Sequence, residues 1–596
     1  MSENFATLAQ AFESRAQKYG DRTFLKDKSN KTWRDHSWAA VANAAARLRA
    51  GLQKIGMRPG DRVGILSDNS PQWVIVDQAV LGLGGIVVPL YTTSGAEETC
   101  HVISDSGATL VAANGVEHVK KLCALAPSLP ELRTILAMHG DAAAPQAAHD
   151  GGPAVTTMAA VSEAAPAGIV EGSREDIATL IYTSGTTGPS KGVILTHGNL
   201  LANCADSQKA LTLSATDMTL SFLPVAHSFE RTAGYYTVMI AGGTIAYAEG
   251  LASIASNLLE IQPTIVLTVP RLLEVIYGRV MATVKSGSPL RQRLFRAAMA
   301  TGASAAEYRH RGETLPPHLA VAMALFRPLV FHKIRGIFGS RLRVLISGGA
   351  PLPKDIFRFL AAAEVPVVEG YGLTEASPVV SVNPIGGKIK IGTVGPPLEH
   401  VEARTAADGE LLLRGPSIMK GYYNRDAETR EAIDGEGWLH TGDIASIDAD
   451  GYIAITDRKK EIIVLSGGKN VSPANLETRL AADPHIAQAC VIGDRRKHLA
   501  ALLVPNLDNL RDYLAQNGLK EKAADEAVQS PALRQLFQAK LREFNKPLSD
   551  VEAISTFTLV ASPFSQENGE LTPTLKLRRK VVQEHYRDAI EAMYRG

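Results

Sequence analysis

The eleven residues from Tyr182 to Gly192 read Tyr-Thr-Ser-Gly-Thr-Thr-Gly-Pro-Ser-Lys-Gly, a concentration of groups that bind anions. Glycines Gly185, Gly188 and Gly192 let the main chain turn sharply and bring N–H groups close to a ligand. The hydroxyls of Thr183, Ser184, Thr186 and Thr187 add donors, and Lys191 adds a charge that demands no single geometry. A polyphosphate suits this composition best. The Walker loop does not describe it, because that pattern needs Gly-Lys-Ser/Thr entering a helix, whereas Lys191 follows Ser190 and precedes Gly192.

The flanks say how such a loop is held. Ile177-Ala-Thr-Leu-Ile-Tyr182 and Gly192-Val-Ile-Leu195 both read as short buried strands, so the loop links two strands. Elsewhere in residues 1–170 helical and strand patterns alternate: an alanine-rich helix from Trp38 to Ile55, a strand over Asp61–Leu66, a weaker one at Leu110-Val-Ala-Ala. Such alternation predicts mainly parallel sheets covered by helices on both faces. Residues 140–168, rich in Ala, Pro and Gly, read as a surface loop. Ile265-Val-Leu-Thr-Val-Pro270 opens a further strand-then-helix unit, 285–340 reads as an arginine-rich helical insertion, and Arg341–Ile346 returns to a strand. Short strands and Asp-Gly turns follow from Gly409, giving a β-barrel-like subdomain over about 390–456. The domain boundary is expected near 457, with an N-terminal domain of 1–456 and a smaller mobile α+β C-terminal domain of 457–596.

Composition narrows the class. A chain of 596 residues is too long for one core. Sixty-two basic against 61 acidic residues leave a net charge of +1, which provides no field to draw the protein to nucleic acid. Four cysteines, none in a CxxC pair, argue against a disulfide framework or a structural zinc and suit a reducing cytoplasm. Met1-Ser-Glu-Asn-Phe lacks the basic and apolar regions of a signal peptide, and the longest apolar tract, Trp73–Tyr91, is broken by Asp77, Gln78, glycines and Pro89. A soluble cytoplasmic protein is expected. The Arg/Lys-rich helices of 291–343 are the candidate surface for peripheral contact with the inner face of a membrane.

Further segments carry the rest of the chemistry. They are Leu223-Pro-Val-Ala-His227-Ser-Phe-Glu-Arg231, Ser347-Gly-Gly-Ala-Pro-Leu352, Glu369-Gly-Tyr-Gly-Leu-Thr374-Glu375, Gly437-Trp-Leu-His-Thr-Gly-Asp443, Asp457-Arg-Lys-Lys460 through Lys469, and Leu571-Thr-Pro-Thr-Leu-Lys576-Leu-Arg-Arg579. Together with the Thr/Ser/Gly loop, and in this order, they resemble the adenylate-forming enzymes over nearly the whole chain. The His-Ser-Phe-Glu-Arg phrase, the insertion ending Phe331-His-Lys-Ile-Arg-Gly-Ile-Phe-Gly339, Ser466-Gly-Gly-Lys-Asn470 and the enlarged C-terminal domain are most similar to long-chain fatty acid–CoA ligases.

The resemblance implies an α/β fold and a two-step reaction with ATP, Mg²⁺, a fatty acid and coenzyme A. Residues Thr183, Ser184, Gly185, Thr186, Thr187, Gly188 and Lys191 would hold the phosphates that leave as pyrophosphate. Thr187 and Glu375 would hold Mg²⁺, and Thr374 would contact the α-phosphate. Gly349, Ala350, Glu369, Gly370, Tyr371 and Gly372 would line the nucleotide site. Asp443 would accept from both ribose hydroxyls, and Arg458 would bind ribose or phosphate. Lys576 would bridge the acyl carboxylate and the α-phosphate, and His227 would line the carboxylate end of the acyl pocket. Lys460 would be the hinge about which the C-terminal domain rotates between steps, bringing Gly467, Gly468 and Lys469 to the thiol channel. The acyl pocket is expected from His227–Tyr236, Val269–Tyr277 and Ser347–Leu352. The tryptophan gate of some long-chain relatives has no counterpart in Phe229-Glu-Arg231. Medium-chain, aryl or sterol acids remain alternative substrates, a non-catalytic acyl-adenylate- or lipid-binding protein is the alternative of another class, and sequence leaves monomer or homodimer open.

Overall fold

The computed structural model describes residues 4–139, 152–183, 189–459, 461–467, 469–519, 523–572 and 577–595. Two compact units emerge. One comprises Met1–Arg404, Leu412–Thr441 and Ile447–Ala454, the other Thr405–Leu411, Gly442–Ser446 and Ile455–Gly596.

The larger unit is built on two eight-stranded sheets. The first runs Val379–Val382, Val367–Gly372, Val344–Ser347, Ile265–Thr268, Met218–Ser221, Thr244–Tyr247, Thr23–Ser29, Thr32–Ser37, with antiparallel pairs only at its two edges. The second runs Gly421–Tyr422, Lys191–Thr196, Ile177–Thr183, Ile86–Leu90, Arg62–Leu66, Leu110–Ala113, Thr134–Ala137, Ala154–Thr157, and is parallel from Ile177–Thr183 onward. The inner parallel strands, such as Ile86–Leu90, Leu110–Ala113, Ile265–Thr268 and Val344–Ser347, are buried and mostly Val, Ile, Leu and Ala, as parallel sheets require. Helix Pro71–Gly82 starts on a Ser70 cap with proline at its first position. Apolar on almost every side, it is buried and touches strands of both sheets.

The arginine-rich insertion is helical: Pro270–Lys285, Pro289–Arg311, Pro317–Phe326 and the turns to Arg335. Ala298, Ala305, Met323 and Phe331 bury against Leu345 and Leu360 of the first sheet and its covering helix. Gly302 makes this approach feasible, since a Cβ there would lie 2.1 Å from the Ala362 carbonyl oxygen.

One expectation is corrected. Within 140–168, Ala154–Thr157 is an edge strand in register with Thr134–Ala137, and Met158–Val161 forms a short helix. An edge strand has one partner and little to bury, so its sequence carries no strong apolar pattern. Residues 140–151 lie outside the described residues.

In the smaller unit Leu499–Pro505 is the middle strand between Ile486–Ile492 and Ile554–Leu559. Leu499, Ala501 and Leu503 enter one core with Leu533 and Phe537 of helix Pro531–Asn545, while Leu502 and Val504 enter another with Phe564 and Val582. Alternate residues thus serve opposite faces. A separate four-stranded sheet, not confined to the smaller unit, runs Glu402–Thr405, Glu410–Arg414, Leu439–Ile447, Ile453–Arg458. No helix among the described residues is long and apolar enough to cross a membrane.

Candidate active site

The Thr/Ser/Gly loop is the turn of an antiparallel hairpin closed by Thr183 opposite Lys191. Ser184, Gly185, Thr186, Thr187 and Gly188 lie outside the described residues. On its other side Lys191–Thr196 pairs with Gly421–Tyr422, which sets Tyr422 opposite Val193. Lys191 Nζ lies 5.2 Å from the centre of the Tyr422 ring, a cation–π distance. The Tyr422 hydroxyl donates to Glu375 Oε1 at 2.9 Å, and the Met419 N–H donates to the Glu375 carbonyl at 2.8 Å. One tyrosine therefore connects the hairpin lysine to the carboxylate of the Tyr-Gly-Leu-Thr-Glu segment. Burial and the Glu375 charge together raise the pKa of the phenol, so it stays a donor.

The remaining segments of this unit meet because of strand direction. Met218–Ser221, Ile265–Thr268, Val344–Ser347 and Val367–Gly372 are parallel neighbours, so the segments that follow them leave from one edge of the sheet. These are His227–Arg231, Val269 onward, Gly348–Leu352 and Leu373–Glu375. The carboxyl edge of parallel strands is where ligands bind in open α/β sheets. Contacts tie the segments together. The Phe229 ring covers Gly348, where a Cβ would sit 3.0 Å from it. Gly349 adopts φ +80°, a left-handed conformation suited to glycine, and its open Cβ position has only Val269 as a neighbour, at 3.8 Å. Gly372 admits no other residue, since a Cβ would lie 2.0 Å from the Pro378 carbonyl oxygen. The Ser228 and Thr374 hydroxyls are 2.9 Å apart, both buried. Glu369 accepts the Leu352 N–H at 3.0 Å, and burial pushes its carboxyl up to about 7 against that hydrogen bond and the Lys354 charge. Ala350 is exposed, and Gly370 and Tyr371 are half-buried strand residues opposite Val382 and Ser381. His227 is half-buried, and its Nδ1 accepts the Phe229 N–H at 3.2 Å.

Behind this edge the His-Ser-Phe-Glu-Arg phrase is anchored in the core. Arg231 is fully buried on Asp77 at 2.6 Å, with the Thr179 hydroxyl at 2.7 Å and the Trp73 and Tyr236 rings over its plane. Asp77 also accepts from the Tyr235 and Tyr236 hydroxyls. The aspartate that interrupts the apolar tract in sequence is thus the counter-ion of Arg231. Glu230 is buried against Gly234, and burial raises its carboxyl to about 8, opposed by the Ser221 hydroxyl.

In the smaller unit Asp443 is buried and accepts Arg458 Nε at 2.9 Å. Lys459, read as a surface residue, pairs with Asp408 at 2.6 Å and Glu410 at 3.0 Å, and its side chain remains nearly half exposed. Lys460 and Gly468 lie outside the described residues. Gly467 and Lys469 occupy the exposed turn of a hairpin joining Ile463–Val464 to Asn470–Val471. Lys576 lies outside the described residues as well, but its flanks are tied. Leu571 and Leu577 form a bridge, and the Arg578 N–H donates to the Glu570 carbonyl at 2.7 Å. Arg579 is anchored on Glu477 at 3.0 Å, the Val491 carbonyl at 2.8 Å and Cys490 Sγ at 3.6 Å. Its charge is also felt by Glu461, beside the expected hinge.

The structure therefore brings Thr183, Lys191, Thr374 and Glu375 into one connected region of the larger unit, together with His227 and the Gly349 and Glu369 segments, and pairs Asp443 with Arg458 in the smaller. Sequence reading missed Tyr422, Ser228 and Asp77. Ser228 lay inside a motif already singled out. Tyr422 had no local signal beyond Gly421-Tyr-Tyr423, because its place follows from pairing across more than two hundred residues.

Residues 12–423 match the pattern of the AMP-binding enzyme family, and residues 460–596 match the AMP-binding enzyme C-terminal domain. The chain is 36% identical to the long-chain-fatty-acid–CoA ligase FadD15 of Mycobacterium bovis over 94% of its own length and 92% of that protein. It is 32% identical to peroxisomal long chain acyl-CoA synthetase 7 of Arabidopsis thaliana, covering 99% of this chain and 86% of the relative. Among solved structures, the adenylation domain of a carboxylate reductase from Mycobacterium chelonae superposes with a TM-score of 0.80 at 24% identity, over all of this chain and 92% of that one. The anthranilate CoA ligase AuaEII, in complex with anthranoyl-AMP, superposes with a TM-score of 0.74 at 21% identity, over 98% of each chain. At these identities the two structures speak for the fold.

Proposed function

The chain belongs to the AMP-binding enzymes, and on that premise we propose that it is an acid–thiol ligase joining a long-chain fatty acid to coenzyme A with ATP. In the first step a carboxylate oxygen attacks the α-phosphorus of ATP, the bond to pyrophosphate breaks, and acyl-AMP forms. In the second the coenzyme A sulfur attacks the acyl carbon, the thiol proton leaves, and the bond to AMP breaks.

The observation that carries this reading is the Lys191–Tyr422–Glu375 connection, with Thr374 beside Glu375. A carboxylate approaching a polyphosphate opposes two sets of negative charge, so the site must neutralise charge and hold an in-line approach. Lys191 serves the leaving phosphates, and the Tyr422 hydroxyl fixes the rotamer of Glu375. Glu375 offers a hard oxygen at the carboxyl edge, which fits Mg²⁺ held by one carboxylate and substrate phosphates, with Thr187 as a second ligand. Bound there, Mg²⁺ would neutralise charge on the departing pyrophosphate. Asp443 takes the ribose, Arg458 ribose or phosphate, and Lys576 stabilises the charge developing between acid and α-phosphate. His227 lines the carboxylate end of an acyl pocket drawn from the His227, Val269 and Ser347 segments. Rotation about Lys460 separates the two steps and gives Gly467–Lys469 to the thiol. The start of the C-terminal family match at residue 460 supports that hinge. The long-chain substrate follows from the names of relatives that align along almost the whole chain.

The test is pyrophosphate release from ATP across saturated acids from acetate to stearate, with and without coenzyme A. Release peaking with long chains, and acyl-CoA formed only when coenzyme A is present, is the expected result. A peak with short or aryl acids would keep the mechanism and change the substrate. No release with any acid would overturn the reading.

A further inference from the structure

The four parallel strands that deliver the catalytic segments at their carboxyl ends have a second, unassigned cleft at their amino ends. Asp217, Thr264, Arg343 and Pro366 stand immediately before Met218–Ser221, Ile265–Thr268, Val344–Ser347 and Val367–Gly372. The two edges are about 13 Å apart for a four-residue strand. The cleft holds about 670 Å³, a size suited to a small molecule. Its polar lining is Arg309, Arg327, Arg335, Arg341, Arg343, His332 and one carboxylate, Glu364, over a floor that includes Phe331 and Leu342. Arg341 and Arg343 also line an adjoining depression of about 400 Å³ whose other walls carry the Asp217 carboxylate and the hydroxyls of Thr212, Ser214, Thr216 and Thr264.

Five guanidinium groups face two carboxylates, and both carboxylates are already engaged. Glu364 takes Arg327 in a forked pair at 2.8 and 2.9 Å and has Arg309 at 3.7 Å. Asp217 takes Arg343 at 3.1 Å and the Thr264 hydroxyl at 2.8 Å. Arg335 donates to the Leu342 carbonyl at 3.0 Å and adds its charge to those that lower the Glu364 carboxyl, while Arg341 has no hydrogen bond or ion pair among the described residues. Burial, then the nearby Arg327 charge, lower the pKa of Arg309, while Glu364 opposes them. Guanidinium groups crowded with so few counter-charges repel one another, and their planar forks match phosphate oxygens in pairs. Three separate elements contribute them: helix Pro289–Arg311, the turns from Arg327 to Arg335, and the lead into Val344–Ser347. In sequence these arginines belong to the Arg/Lys-rich stretch 291–343 named as the candidate membrane-contact surface, and folding gathers five of them into one concavity.

We propose that this amino-edge cleft binds a phosphorylated ligand carrying at least two negative charges, with Arg335 and Arg341 as its primary contacts and the neighbouring hydroxyls as secondary ones. The phosphate can belong to a soluble molecule or to a lipid headgroup, and the test separates these sources.

The experiment titrates inorganic tripolyphosphate into the full chain by calorimetry, and separately measures capture on vesicles of phosphatidylglycerol in phosphatidylcholine. Wild type is compared with the Arg335→Gln/Arg341→Gln variant and with Lys333→Gln, an exposed cation on the same turns that does not line the cleft. The variants should keep wild-type pyrophosphate–ATP exchange, which shows them folded and leaves phosphate binding at the catalytic edge in place. In the double variant one binding event should weaken by about tenfold or more, the value of a lost charged hydrogen bond, while Lys333→Gln stays unchanged. Loss confined to tripolyphosphate assigns a soluble ligand, and loss confined to vesicles assigns a headgroup. Identical titrations and capture for wild type and double variant overturn the proposal, and so does an equal loss with Lys333→Gln, since diffuse charge would then explain it.

Discussion

In the larger unit Arg231 lies fully buried between Asp77, the Thr179 hydroxyl and two aromatic rings, with neighbours drawn from a helix, a strand and its own turn of chain. In the smaller unit Arg579 lies on Glu477 and the Val491 carbonyl, and its Nε has no hydrogen-bond partner among the described residues. Each arginine is close in sequence to a segment proposed to touch substrate, His227–Ser228 in one case and Lys576 in the other. The difference is in which contacts hold the described residues around each segment. The proposed catalytic edge of the larger unit is tied together by parallel strand ends, glycine contacts and the Ser228–Thr374 pair. The Lys576 segment is held at its flanks, by Leu571–Leu577 and Arg579. Preorganised donors suit a nucleotide that stays put through two half-reactions. The proposed role of Lys576 falls in only one of them.

The strongest way to break this comparison is Lys576→Ala. Pyrophosphate–ATP exchange should fall by about a hundredfold to a thousandfold, the scale of one lost charge-stabilising donor. Thioester formation from supplied acyl-adenylate should remain near wild type. Equal loss of both steps would end the division of labour.

Removing the two anchors should separate stability from catalysis. Arg231→Met leaves Asp77 buried without its cation and should lower urea stability of the larger unit by about 3–5 kcal/mol. Arg579→Met should cost less, because Glu477 still accepts the Val491 N–H at 2.6 Å, and its loss should appear mainly in exchange activity. Similar denaturation midpoints for the two variants would remove the contrast.

Glu230 sharpens the comparison through pH. Its folded carboxyl titrates near 8 against an ordinary 4.5, so the folded state binds the extra proton. Stability from this group is present below about 4.5 and is lost as pH rises toward 8. Glu230→Gln should flatten the urea midpoint between those limits and leave the variant more stable than wild type at the alkaline end. A parallel pair of pH curves would show that the group does not titrate there.

Tyr422→Phe should have the smallest effect. It keeps the ring beside Lys191 and removes only the hydroxyl on Glu375, a loss of about 1 kcal/mol or roughly fivefold in exchange rate. An unchanged rate and unchanged Mg²⁺ dependence would show that Glu375 is held by other means.

Much of the site was legible as segments. Thr183 and Lys191 flank a composition that speaks for itself, and Tyr-Gly-Leu-Thr-Glu375 and Thr-Gly-Asp443 carry their chemistry within a few residues. The strands were legible where both faces are buried, as at Ile177–Tyr182, because continuous apolar runs leave a strong mark. The strand at Ala154–Thr157 was not, since an edge needs little burial. Asp77 was read as a break in an apolar tract, because a charge inside such a tract declares no partner 154 residues away.

By itself, then, the sequence determined the kinds of chemistry available and the local elements that carry them, since both depend on neighbours within a turn or a strand. Tertiary structure alone decided which of these groups meet. Parallel strand order put four segments on one edge, hairpin pairing set Tyr422 between Lys191 and Glu375, and three distant elements turned scattered arginines into a cleft at the opposite edge. Those meetings depend on register and strand direction, which the burial of whole faces fixes and no short stretch of residues can specify.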